Sequence, residues 1–333
     1  MAHRAFVAHG LEYLSEHQPG GCCWVGDVGH KQENDYLVLD EAARQLREGD
    51  GKSASPRCAG WHSWPAATCR GAASTAPWSS ERSTVLRCEN THGYITDSGT
   101  RMYDHAFATL FLTQVFGMQR RRNFQEQLER AVGLIADSQN EQGGWRYNPF
   151  VVEADLSVTV CQLQALRAAR NVGINVPRTV IDRAVAYVRR SRIDGGREDG
   201  CYYYKIEGRA ARTKTSFAIN AAAITSLMSA GIYDHEDFEP AVRYIENRYE
   251  EITDDFPDHF YFWYGNYYAV QVLLHVGGRR WERYFGRLRD DLLKRQREDG
   301  SWDNTVGPGP AFATAMACLL LEIPRQILPI FQK

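Results

Sequence analysis

Two short stretches near opposite ends of the chain share one pattern: QNEQGGW at residues 139–145 and QREDGSW at residues 296–302. Each reads Gln, any three residues, Gly, any one residue, Trp. Gly permits a sharp turn, Gln can hydrogen-bond a neighbouring helix end, and Trp can cover the seam beside the turn. The spacing therefore predicts a structural element that is built more than once, from Gln139, Gly143 and Trp145 and again from Gln296, Gly300 and Trp302.

The segments that precede these motifs have the one-sided apolar spacing of an amphipathic helix, as in QLERAVGLIADSQNEQGGW. The design recurs at intervals of about fifty residues. Two degenerate copies lie upstream, in GLEYLSEHQPGGCCW and VLRCENTHGYI. The four clearest copies align at Leu134, Tyr187, Tyr244 and Asp291.

A second kind of helix lies between these copies. Segments such as TSFAINAAAITSLMSAG and AFATAMACLLLEI are rich in small residues and apolar around most of the circumference, which is typical of buried helices. Helical hairpins of this kind cannot cover their own apolar faces and must bury them on neighbours. The alternation predicts an all-α array, closed or stacked.

The QxxxGxW elements resemble the QW repeats of squalene and oxidosqualene cyclases and of their relatives, the protein prenyltransferase β subunits. The resemblance covers nearly the whole chain. It implies an α6/α6 toroid in which buried helices ring a central cavity and amphipathic helices lie outside. We expect one domain, residues 1–333, made of six such repeats. Glycosidases with α6/α6 rings match less well, because they lack QxxxGxW and need a separated pair of carboxylates.

Residues 51–80 do not follow the pattern. They contain three Trp and many small residues, have no helical period, and fall where the first inner helix should lie. A loop of about thirty residues is long for a compact domain. In a shifted reading frame, the codons permit an apolar helix followed by a connection, so a pair of frameshifts is one explanation. A divergent surface insertion is the other.

Squalene-type cyclases need a strong acid, which the resemblance assigns to an Asp-x-Asp-Asp-Thr-Ala motif at the start of an inner helix. The nearest match is VEADLSVTV, in which Asp155 takes the place of the last Asp. Glu153 and Ala154 stand near the positions of the partner carboxylates, so the acid pair is missing. Asp155 is therefore a candidate proton donor or, alternatively, a helix N-cap. The segment RMYDHAF adds Asp104 and His105 as further candidates, and a capping role is again the alternative.

The prenyltransferase branch uses a zinc ion held by Asp, Cys and His. Here Phe260 stands where the Cys should be and Thr314 where the His should be, so we expect no metal site of that type and no cofactor.

Aromatic residues are concentrated in the fourth and fifth repeats. Aromatic rings can stabilise carbocations, or they can simply fill a wide core. The candidates for a cavity wall are Tyr203, Tyr261, Trp263, Tyr264 and Tyr267.

Composition excludes several classes of protein. The 333 residues are 44% hydrophobic and 24% charged, with a formal net charge of -2, which argues against a nucleic-acid partner. No apolar run is long enough to cross a bilayer, and eight irregularly spaced cysteines suit a reduced, cytoplasmic protein.

Two functions stay open: a cyclase-like enzyme acting on an isoprenoid or other apolar ligand, and a non-catalytic toroid that binds a lipid, peptide or protein partner.

Overall fold

Helices make up most of the described part of the chain. The computed structural model describes residues 3–17, 30–32, 35–37, 92–96, 101–118, 122–206, 215–233, 235–254, 260–304 and 309–325. Residues 51–80, and with them both explanations of that segment, lie outside these ranges. The helices are α1 (His3–Glu16), α2 (Arg101–Met118), α3 (Arg122–Asp137), α4 (Leu156–Asn171), α5 (Arg178–Arg190), α6 (Phe217–Ser229), α7 (His235–Asn247), α8 (Tyr249–Asp254), α9 (Phe260–Val276), α10 (Gly278–Arg295) and α11 (Pro310–Glu322), with a final 3₁₀ turn at Ile323–Arg325.

The described residues form one short antiparallel hairpin, and two isolated antiparallel bridges join Trp145 to Asp155 and Arg192 to Tyr202. The hairpin pairs β1 (His30–Gln32) with β2 (Asp35–Leu37), in a register that places His30 opposite Leu37. The sequence analysis did not predict it, because the helical repeat was the only period considered.

The inner layer consists of α2, α4, α6, α9 and α11, which lie side by side in chain order. Every residue of α6 is buried, and so are nearly all residues of α4 and α11. A helix that touches neighbours on all sides cannot have a polar face. This burial explains the small, all-round apolar sequences and confirms that they are inner helices.

The outer helices are amphipathic and bury one stripe each against the inner layer. In α10 the buried residues are Tyr284, Leu288 and Leu292, one face of a helix at spacings of four. The solvent side of the outer wall carries ion pairs between neighbouring repeats. Arg280, for example, contacts both Glu239 and Glu246. The Arg280 side chain is 30% exposed and that of Glu246 11%, so this network is partly shielded from water.

The first described helix packs against the last two, α10 and α11. Two contacts show this closely: Gln296 Nε2 donates to the carbonyl of Phe6 (2.9 Å), and the Cys318 thiol lies 3.8 Å from the carbonyl of Val7. The beginning and the end of the described chain therefore meet, as a toroid requires.

The QxxxGxW motif joins adjacent repeats. The amide nitrogen of Gln139 donates to the carbonyls of Gly143 and Val180, both at 2.9 Å, so it spans from its own turn to the next outer helix. The Gln side chain thus bonds the neighbouring helix end, and it does so as a donor to carbonyl groups. Trp145 is 1% exposed and donates its indole N–H to the carbonyl of Ile135 at 2.8 Å.

The second copy of the motif repeats this arrangement. Gln296 bonds the carbonyl of Gly300 as well as that of Phe6, and Trp302 donates its indole N–H to the carbonyl of Leu292 at 2.8 Å. Both motif glycines have positive φ, +87° at Gly143 and +84° at Gly300. The recurrence of each contact supports a structural role for the whole motif.

Candidate functional site

Polar side chains near the start of the inner helices fix the loops that precede them. In α4, Thr159 Oγ1 accepts a hydrogen bond from the Trp145 backbone N–H (3.1 Å) and donates to the carbonyl of Asp155 (2.7 Å). We call side chains in this position loop latches. The other latches are His105, Asn220 and Thr314. They accept hydrogen bonds from the backbone N–H groups of Ile95, Tyr202 and Trp302, respectively.

His105, a candidate proton donor in the sequence, lies fully buried in such a latch. Its Nδ1 accepts from the Ile95 N–H at 3.1 Å, so its Nε2 carries the proton and donates to the carbonyl of Ala131 at 3.0 Å. Burial lowers the pKa of His105 from 6.5 to about 4. Both ring nitrogens are committed to structural hydrogen bonds, one with the loop that contains Ile95 and one with the outer helix α3, which leaves no proton to deliver to the interior.

Asp104, the neighbouring candidate, is also buried, at 2% exposed. It lies in the first turn of α2 near Tyr94. Burial chiefly, with a contribution from the Asp104 charge, raises the pKa of Tyr94 to about 12.

Asp155 is fully buried and caps helix α4. Its Oδ1 accepts hydrogen bonds from the Val158 N–H (2.9 Å) and from the Ser157 hydroxyl (2.7 Å), and its Oδ2 accepts from the Arg146 guanidinium (2.9 Å). Burial raises the pKa of Asp155, against the opposing effects of these same donors. These three contacts are all with donors, which favour the ionised form of the group.

Four tyrosines surround this carboxylate, and we call them the tyrosine cluster: Tyr103, Tyr147, Tyr204 and Tyr264. The Tyr103 hydroxyl bonds the Ser157 hydroxyl, and the Tyr264 hydroxyl lies 3.4 Å from the Ser157 carbonyl. The hydroxyls of Tyr147 and Tyr204 bond each other at 2.7 Å. Burial, followed by nearby negative charge that includes Asp155, raises the pKa of all four. They are neutral phenols at physiological pH.

Only some of the predicted wall aromatics join this cluster. Tyr264 belongs to it, and Tyr267 lies deeper in the interior, where its ring centroid is 6.4 Å from that of Phe107 and its hydroxyl 3.4 Å from Gln164 Oε1. Trp263 is 1% exposed, with its ring perpendicular to that of its neighbour Phe262. Tyr203 and Tyr261 are half-buried, and no described contact brings them to the carboxylate.

The sequence analysis missed Tyr103, Ser157, Tyr147 and Arg146. The sequence contained a pattern that points to Tyr147. Tyr147 follows Trp145 by two residues and Tyr204 follows Tyr202 by two, and both Trp145 and Tyr202 are bonded by a loop latch. For Tyr103 and Ser157 the signal was their common position two residues before a latch. Detecting it requires knowing which residues are the latches.

Two basic side chains lie at the rim of the site, and we call them the basic pair: Arg146 and Lys205. The Arg146 guanidinium lies 4.6 Å from the centre of the Tyr147 ring. Its Nε is 3.2 Å from Glu153 Oε2, and Lys205 Nζ is 3.0 Å from the same oxygen. The rim therefore combines positive charge with aromatic surface.

Across the ranges that the structure describes, no group of three His, Cys, Asp or Glu side chains could hold a metal ion. In the same ranges, none of the helices combines the length and the apolar character needed to cross a bilayer.

Comparison with known sequences identifies one family. The family described as the squalene-hopene cyclase C-terminal domain matches residues 108–281. That span contains the latches of α4 and α6, the tyrosine cluster apart from Tyr103, and the basic pair, whereas the α2 latch His105 lies just before it. No curated protein matches the chain in sequence.

Solved structures are similar over almost the entire chain. An inactive variant of an α-1,6-mannanase from Salegentibacter sp. HEL1_6 has a TM-score of 0.64 at 7% identity, covering 96% of this chain and 97% of its own. The cellobiose 2-epimerase of Spirochaeta thermophila has a TM-score of 0.60 at 13% identity, covering 97% and 96%. The unsaturated glucuronyl hydrolase of Bacillus sp. GL1 has a TM-score of 0.58 at 12% identity, covering 96% of each chain. Identities this low carry the fold alone, and the predicted α6/α6 toroid is confirmed.

Proposed function

Because the chain belongs to the squalene-hopene cyclase C-terminal domain family, we propose that its interior binds an apolar small molecule, such as an isoprenoid, without starting a cyclisation. The tyrosine cluster and the small-residue inner helices would enclose the ligand. This is the non-catalytic function that the sequence left open, with a small molecule as its partner. The cysteine pattern and the charge balance favour a cytoplasmic setting without nucleic acid.

One observation carries the proposal: the donors around Asp155. Protonating an alkene needs a carboxylic acid that holds a proton and is strongly polarised by its neighbours. Asp155 instead accepts hydrogen bonds from Val158, Ser157 and Arg146 at 2.7–2.9 Å. Each of these contacts stabilises the ionised form of the carboxyl group relative to the protonated form. The carboxylate anchors α4 and the rim arginine, which is a structural use of the charge.

The interior favours an apolar ligand over a sugar. The three structural neighbours act on sugars according to their names, so sugar chemistry is the competing function. The inner helices α6 and α11, however, present Ala, Ile, Leu and Met along their buried length. Aromatic rings and aliphatic side chains recognise hydrocarbon by excluding water, and the phenol hydroxyls supply a few polar contacts.

The test uses wild-type protein and Asp155→Asn, because Asn keeps an N-cap acceptor and removes the charge. Both are titrated with farnesol by calorimetry, then incubated with squalene, and the extracts are analysed by gas chromatography and mass spectrometry. We expect both proteins to bind farnesol and neither to form a cyclised product. Cellobiose and mannotriose serve as sugar controls and should not bind.

Two results would overturn the proposal. A cyclised squalene product from the wild type that disappears in Asp155→Asn would make the chain an enzyme with Asp155 as its acid. Binding of the sugars, with no binding of farnesol, would assign the interior to carbohydrate.

A further inference from the structure

The basic pair is occupied by a carboxylate that is open to solvent. The side chains of Arg146 and Lys205 keep only 24% and 16% of their surface exposed, whereas that of Glu153 keeps 55%. Arg146 is also bonded to the buried Asp155. Two poorly hydrated cations thus hold one well-exposed carboxylate between successive loops of the ring.

We propose that the basic pair is the binding site for the carboxylate of an apolar carboxylic acid, and that Glu153 fills this site in the free protein. The inference rests on the proposed function, because it assigns the charged end of the ligand whose body lies in the interior. Arg146 and Lys205 carry two positive charges and Asp155 one negative charge. The two cations together therefore carry more charge than the one buried carboxylate, which contacts Arg146.

Glu153 can leave at little cost. Ion pairs of an exposed side chain are weak, since water and salt compete with them. The backbone would not have to move, because Asn140 Nδ2 holds the carbonyls of Val152 (2.9 Å) and Glu153 (2.7 Å) in place. Only the Glu153 side chain has to rotate. An incoming carboxylate would then meet the same two nitrogen donors.

The basic pair is continuous with the apolar interior. Arg146 stacks on the Tyr147 ring at 4.6 Å, and the centroid of the Tyr147 ring lies 5.9 Å from that of Tyr103. The Tyr103 hydroxyl reaches Ser157 on α4. A ligand anchored by its carboxylate at the rim would lay its hydrocarbon along these two rings and enter between α2 and α4.

The experiment compares farnesoic acid with farnesol, which share one isoprenoid body and differ at the end group. Calorimetry at pH 8, where the acid is ionised, measures both affinities. We expect wild-type protein to bind farnesoate more tightly than farnesol, and the difference to shrink as salt is added. Glu153→Gln should bind farnesoate about 2- to 5-fold more tightly, since a weak internal competitor has been removed, and farnesol equally well.

Two further variants define the site. Lys205→Gln should lower the affinity for farnesoate about tenfold without changing that for farnesol, and Lys205→Arg should restore it. The matched control is Glu239→Gln. Glu239 also bridges two basic side chains, Arg243 and Arg280, but it does so on the outer wall. This variant should bind both ligands as the wild type does.

The outcomes separate the two proposals. If farnesol binds, but farnesoate binds no more tightly in either the wild type or Glu153→Gln, the carboxylate site is refuted and the apolar interior stands. If neither compound binds, both proposals fail. Tighter binding of farnesyl phosphate than of farnesoate by Glu153→Gln would refute the assignment to a carboxylate.

Discussion

Replacing Gly300 by Ala tests how the ring is closed. A Cβ at Gly300 would lie 2.5 Å from the carbonyl oxygen of His9, which belongs to helix α1, and φ at this position is +84°. The left-handed backbone costs an Ala about 1–2 kcal/mol. The overlap with a backbone atom adds about 1–3 kcal/mol, because α1 has to shift. We expect Gly300→Ala to lower the free energy of unfolding by about 2–5 kcal/mol.

The matched control is Gly286→Ala in helix α10 of the same repeat. A Cβ at Gly286 would meet nothing within 4 Å, and its φ is not positive. Ala is the better helix former, so this variant should be more stable than wild type by about 0.5–1 kcal/mol. Opposite signs from the same substitution, 14 residues apart in the sequence, would locate the effect in the contact with α1.

Urea denaturation followed by circular dichroism gives the two stabilities, and hydrogen exchange with mass spectrometry gives the local effect. In Gly300→Ala, we expect peptides from α1 to lose protection before those from α4 or α6, because the strain acts on the α1 contact. Equal stability of Gly300→Ala and Gly286→Ala, or unchanged protection of α1, would show that the closure does not depend on this contact.

Three other substitutions probe the latch, the motif and the cap. Burial favours the neutral form of His105, whose pKa is about 4 in the native state against 6.5 when unfolded. This difference contributes about 3 kcal/mol to stability, which is complete above pH 6.5 and is lost as the pH falls to 4. The urea midpoints at pH 7.5 and pH 5 should therefore differ less in His105→Gln than in wild type. Gln139→Ala should lose about 2–3 kcal/mol in urea denaturation, because it removes the donor that links the Gly143 and Val180 carbonyls. Gln125→Ala on the exposed face should change stability by less than about 0.5 kcal/mol. Asp155→Ala should be less stable than Asp155→Asn by about 1 kcal/mol in the same assay, since only Asn retains a cap.

The sequence predicted the architecture well because the architecture repeats. Helix periodicity, small residues in the inner layer and the spacing of Gln139 and Trp145 each follow from one hairpin that must cover its apolar face on a neighbour. Because each hairpin has to meet this same requirement, the same sequence pattern recurs along the chain. Even Gly93, in a copy that has lost both Gln and Trp, keeps φ at +84° and lies against Arg130 as Gly143 lies against Arg183.

The candidate site was harder to predict because its members come from different repeats. Asp155 was identified by analogy with a motif, but Arg146, which neutralises it, lies in a loop whose path depends on the Asn140 contacts. His105 looked catalytic because an imidazole beside an Asp is a common acid-base pair. The structure shows that its position is one that Thr159 fills elsewhere. A residue type suggests chemistry, but an equivalent position in another repeat can reveal a structural reason for it.

Comparison of equivalent positions separates structural from ligand-facing residues. The latch position accepts His, Thr or Asn, since its task is to bond a loop N–H, and any of these side chains supplies an acceptor. Two residues earlier stand Tyr103 in α2 and Ser157 in α4, and these two side chains bond each other across the interior. Tyr264 in α9 likewise stands two residues before Asn266. The Asn266 side chain bonds the carbonyl four residues before it, as the latch Thr159 does. The Tyr264 hydroxyl lies 3.4 Å from the Ser157 carbonyl. Three inner helices, α2, α4 and α9, thus bring this position together around Ser157, whose hydroxyl also bonds the buried Asp155 carboxylate.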